Sequence, residues 1–193
     1  MKKGEFTWES LTALGTLILA VGTLITVIVM TVQVMDARDM DRTKNLIDLR
    51  KEFDSSEFAS VRQSLAAKRL DRNGHLIPWK SNEAPPEAYE ILNFFDSVGM
   101  LLDKGHLNAD DVWEQMSYWI SNYSEDFKNV IAEEEKYDPY AYSDFKKLAQ
   151  EIYKISEQKY KQPLSIPQDD LEDFYHYELK NPLVSSPKPK PHK

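Results

Sequence analysis

Glu172, Asp173 and His176 lie within five residues of one another, so a helix there would bring carboxylate and imidazole to one face. This is the nearest approach to a metal-ligand set in the chain. A carboxylate-bridged di-metal bundle needs two such units and further carboxylates from other helices, and the sequence offers one. A solvated acidic segment is the expected role, and neither a metal nor a cofactor is expected. Glu133-Glu134-Glu135 and Asp169-Asp170 are paired carboxylates in sequence only: neighbours on a helix point apart, whereas acid-base catalysis needs carboxyls facing one substrate. With four histidines, six glycines and no cysteine, the chain has no thiolate chemistry, no glycine-rich phosphate loop and no serine nucleophile elbow. No catalytic residue is assigned and no enzyme activity is expected.

The elements that would position any site divide into two kinds. Ser10 to Met35 carries no charge and is bounded by Glu9 and Asp36. A helix of roughly 20 apolar residues crosses the ~30 Å hydrocarbon core, and this run is longer. It also exceeds the ~7–15 residues of a signal-peptide core and ends without a convincing small-residue cleavage site, so a retained single-pass anchor in the cell membrane is expected. Lys2 and Lys3 precede the run, whereas Arg38, Arg42, Lys44, Arg50 and Lys51 follow it, a bias that places the C-terminal part in the cytoplasm. Thr12, Gly15, Thr16, Gly22, Thr23 and Thr26, with Leu19 and Met30 continuing the three- and four-residue steps, share one small, hydroxylated face. Two readings of that face stay open: self-association into a homo-oligomer through close packing, or hydroxyls bonded back to their own helix.

Between Asp36 and Val184 the chain holds 30 acidic and 19 basic residues, which repels phosphate backbones and argues against nucleic acid as a partner. Apolar residues there recur with helical spacing and nowhere alternate long enough for a strand. The expected class is all-α: residues 10–35 as a transmembrane helix after a flank at 1–9, then a bundle of four or five helices over 36–161 entered through a stalk. An acidic, aromatic extension at 162–184 and a disordered Pro-Lys tail at 185–193 complete the chain. Ser55 or Ser56 is the predicted cap of one helix, Pro85 or Pro86 begins the next, and Asn108 with Asp111 resembles a capping box. Asp138-Pro139 is read as a further helix start, and Val112 to Ile131 as one long helix. Arg62 and Arg69, seven residues apart, share a face and are expected to pair with Asp96 or another acid at a helix junction. In the pairs Phe94-Phe95 and Tyr118-Trp119 both rings cannot enter one narrow stripe: either the core stripe is wide enough for both, or Phe94, Trp113 and Tyr118 mark a second helix interface or a partner surface.

The run Ile91 to Gly99, with Lys104-Gly105-His106-Leu107, Asp111-Val112-Trp113, Tyr118-Trp119 and Asp138-Pro139-Tyr140 through Leu148-Ala149, resembles a bacterial family known as domain of unknown function 4760. The resemblance spans about Leu46 to Ile152. It implies a helical, often membrane-anchored protein with no assigned activity, and it transfers no catalytic residue. The expected function is interaction or regulation at the membrane, with the bilayer, further copies of the chain and an unidentified protein as partners. The alternative is an effector whose associating spans perturb the bilayer while the bundle acts as sensor.

Overall fold

A computed structural model describes residues 8–79, 84–163 and 165–180. Seven helices run in the order α1 (Trp8–Phe53), α2 (Ser56–Arg69), α3 (Pro86–Asp103), α4 (Ala109–Asp126), α5 (Lys128–Glu134), α6 (Ser143–Tyr160) and α7 (Gln168–Lys180). No strand forms among the described residues, where one isolated bridge pairs Leu70 with Leu76. The all-α class therefore stands. Residues 1–7 of the flank and the Pro-Lys tail at 185–193 lie outside the described residues.

The chain divides into two compact units, Met1–Asp41 and Arg42–Lys193. The first contains the apolar stretch, whose side chains are exposed from Leu14 through Asp41. The second is the bundle. Its opening turns, the end of α1, bury Leu46 and Phe53 and bond to the α3–α4 turn: Arg42 Nε donates to the Gly105 carbonyl at 3.0 Å and Asn45 Nδ2 to that of His106 at 3.2 Å. Those contacts supply donors to two carbonyls of the turn that follows α3. Gly105, at φ 73°, takes the left-handed turn that stops α3. Phe53 then meets Phe94, Phe95 and Trp119 with ring centroids 4.9–5.7 Å apart, an aromatic cluster that joins α1, α3 and α4.

Most helix ends follow the sequence signals. The Ser55 hydroxyl accepts from the Phe58 amide at 3.1 Å, α3 starts at Pro86, and the Asn108 side chain accepts from the Asp110 and Asp111 amides. Two signals mislead. Asp138-Pro139 opens a turn and α6 begins only at Ser143, because the Asp138 carboxylate bonds the Tyr140 amide two residues on. The cap of α6 comes from another helix: the Asp96 carboxylate on α3 accepts from the Asp144 and Phe145 amides at 3.1 and 2.9 Å. The predicted long helix, in turn, breaks at Phe127 into α4 and α5. Trp79 Nε1 donates to the Asp126 carbonyl at 2.8 Å, and a side chain entering the backbone ladder bends a helix.

The third difference concerns the C-terminal extension. Residues 168–180 form α7, which packs on α2 and α4 within the same compact unit, burying Leu171, Phe174, Tyr175 and Glu178. The bundle therefore does not stop at residue 161.

Contact between α3 and α6 depends on Gly99, where an added Cβ would stand 2.2 Å from the Asp144 carbonyl oxygen. Gly99→Ala should therefore destabilise the bundle by at least about 2 kcal/mol, and Asp96→Ala by about 1 kcal/mol through the lost cap, both measured by urea unfolding of the full chain.

Candidate functional site

Arg62 and Arg69, two helical turns apart on α2, are both buried, and each guanidinium is met by an acid. Arg62 Nη1 donates to both oxygens of Glu178 on α7, at 3.2 and 3.0 Å. The same carboxylate accepts from Trp119 Nε1 at 2.9 Å and from the Tyr123 hydroxyl at 3.4 Å, both on α4. Arg69 clasps Asp126, the last residue of α4, with Nε at 3.1 Å and with Nη2, while its Nη1 donates to the Ile77 carbonyl. The Tyr175 hydroxyl of α7 donates to the Asp126 carboxylate at 2.6 Å. Aromatic faces complete the setting, with Arg62 4.1 Å from the Phe53 ring centroid and Arg69 4.1 Å from that of Trp79.

Burial raises the pKa of Glu178 above its ordinary value, and the like charge of Asp54 adds to the rise; Arg62, Trp119 and Tyr123 pull the other way. Burial likewise holds the Tyr123 and Tyr175 phenols protonated, so each remains a donor. The cluster fixes one helix, α7, on two others, α2 and α4. Gln63 Nε2 adds a bond at 3.0 Å to the Leu179 carbonyl near the α7 C-terminus.

Of the two partners the spacing allows, Asp96 or another acid at a helix junction, the structure has the second. Asp96 is instead engaged with the start of α6, and the acids are Asp126 and Glu178. The spacing of Leu171, Phe174, Tyr175 and Glu178, at i, i+3, i+4 and i+7 directly after Pro167, was the available signal for α7.

The other candidates are scattered. Phe94 is not a surface residue: it is 6% exposed and packs edge-on to Phe95. Tyr118 is half-buried, 5.5 Å from the Phe174 ring, so the second helix interface open to it is the one with α7. Trp113, also half-buried, donates to the Ser156 hydroxyl at 2.7 Å and lies under Lys159. His176 Nε2 is 3.0 Å from the Gly74 carbonyl, and Glu172 accepts from the Leu76 amide while facing His75. Both thus tie α7 to the 71–76 turn, and no group of three metal-ligating side chains forms among the described residues. Glu133, Glu134 and Glu135 diverge to Lys136, Tyr89 and Lys146. A cleft of about 660 Å³ beside them is lined by Trp79, Tyr89, Glu133, Glu134, Lys136 and Tyr137.

In α1, the Thr12, Thr16, Thr23 and Thr26 hydroxyls donate to carbonyls four residues back at 2.9 Å, and nothing lies within 4 Å of a Cβ built on Gly15 or Gly22. Among the described residues α1 alone is long and apolar enough to cross a membrane, a property that a signal sequence shares.

A family model described as Domain of unknown function (DUF4760) matches residues 10–152, extending N-terminally beyond the motifs to include the apolar stretch. No curated protein and no solved structure matches the chain.

Removing one member of the Arg62–Glu178 pair should be costly, and removing both much less so. Glu178→Leu and Arg62→Met are each expected to lower stability by about 3–5 kcal/mol, with the double variant well short of their sum in a double-mutant cycle. A raised carboxylate pKa means that docked α7 takes up a proton more readily than undocked α7. The associated stability is therefore present below the ordinary carboxylate range and lost as pH rises through the raised value. As pH falls from neutral, the wild-type chain should gain stability relative to Glu178→Gln, which urea midpoints across a pH series would show as a sloping difference.

Proposed function

The chain belongs to the domain of unknown function 4760 family, and from that premise we propose that it is a single-pass membrane protein whose helical bundle mediates interaction or regulation without catalysis. The uncharged apolar run of α1, exposed from Leu14 onward, carries the reading: in water such a surface has no favourable solvent, and in lipid it needs none other. The matched range runs unbroken from this run into the bundle, which supports a lasting anchor over a removed leader. The cationic bias after the run supports a cytoplasmic bundle.

Absence of catalysis is inferred from how the polar groups are used. The buried acids are bound by arginine, indole and phenol groups, and the acidic runs diverge to separate partners. Association into homo-oligomers through the face of Thr12, Gly15, Thr16, Gly22, Thr23 and Thr26 belongs to the same proposal. With the hydroxyls bonded within the helix, such contact would rest on close backbone approach at the two glycines.

The full chain should remain in the membrane pellet after alkaline carbonate washing, and Leu19→Arg together with Ile25→Arg should release it. In sealed inside-out vesicles added protease should digest the bundle, whereas in right-side-out cells it should not. Recovery of a shortened chain in the aqueous fraction would overturn the anchor, and the reverse protection pattern the orientation.

A further inference from the structure

The family model ends at residue 152, yet the groove on α2 and α4 is filled by α7, which lies beyond it. Without α7, Trp119 and Tyr123 would lose cover and Arg62 its carboxylate. The groove's occupant is defined chemically by what sits there: a short amphipathic helix with a leucine, two adjacent aromatics and a carboxylate at i, i+3, i+4 and i+7. The hinge leading to it is short. Residues 161–167 contain Pro163 and Pro167, and Lys161 sits at φ 56°, a left-handed conformation costly for a residue with a Cβ. Strained short hinges favour exchange of the element they hold, because opening relieves the hinge while every contact of the exchanged element is remade.

We infer that the α2–α4 groove is a helix-receiving site that takes α7 from a second copy of this chain as well as from its own, linking copies by reciprocal exchange of α7. The inference deepens the self-association proposed above, since a shared membrane raises the local concentration of copies, but it rests on separate residues. Charge complementarity selects the occupant. Arg62 takes the carboxylate of Glu178, and Asp126, already held by Arg69, takes the hydroxyl of Tyr175, so a foreign helix lacking either group leaves a buried polar partner unmatched.

The chain has no cysteine, and Gln63 touches the Leu179 backbone, which makes these two positions reporters of docking. Full-length chains carrying Gln63→Cys or Leu179→Cys, differently tagged, would be co-expressed and treated in membranes with a short bismaleimide. Cross-linked dimers containing both tags are expected, reduced several-fold when both chains also carry Lys161→Gly, which relieves the left-handed strain at that position. The inference is overturned if the Gln63→Cys/Leu179→Cys double variant closes wholly within one chain, or fails to cross-link at all, while the mixed single variants stay monomeric. A Gly15→Cys chain reports contact between apolar helices independently: Gly15 cross-links without mixed Gln63–Leu179 products sink the exchange and leave that contact standing. Mixed products from chains found in the aqueous fraction would support exchange and remove the anchor.

Discussion

Two guanidinium groups out of water on one face of α2 set the terms for the C-terminal half of this bundle. An arginine cannot lose its charge, so burial is tolerable only where acids and carbonyls converge on it. Glu178 and Asp126 fulfil that condition, and they do so from different helices. Neutralising α2 therefore assembles α2, α4 and α7 in one arrangement, with Trp119, Tyr123 and Tyr175 satisfying the remaining carboxylate lone pairs. Hydrophobic burial would hold many packings of these helices; directional donors and acceptors select among them.

The α3–α6 side of the bundle works by close approach. Gly99 lets the α6 N-terminus come near enough for Asp96 to cap it, so one small residue and one carboxylate together replace the local cap that the sequence around Asp138 fails to provide. Trp79 has the comparable role at the α4–α5 break, where a distant indole claims a helix carbonyl. In each case a backbone group is satisfied by a residue remote in sequence.

That distinction explains what could be read in advance. Apolar spacing and local caps such as Ser55 and Asn108 act within a few residues, so the helices around them were legible, as was the lack of any strand. The family resemblance was legible too, because its motifs are core aromatics and helix boundaries. The α6 start, the bend at Phe127 and the acids that meet Arg62 and Arg69 depend on residues 47 to 116 positions away, for which a single sequence gives no register. For Phe94 the sequence leaves a wide core stripe and a second interface both open, and the structure has the wide stripe, because α1, α2 and α4 all place rings against those of α3. For the cluster beneath α7, the arginine spacing and the acidic-aromatic pattern were each visible, but not that one answered the other.

The threonines of α1 have a consequence for how that segment would partition. A hydroxyl engaged with the carbonyl four residues back presents mainly its methyl group to the surroundings, and in shape a threonine so folded is close to valine. Water gives up little when such a group departs, so these five positions add less to the cost of entering oil than their formula suggests. The segment is greasier in practice than a count of its oxygen atoms implies.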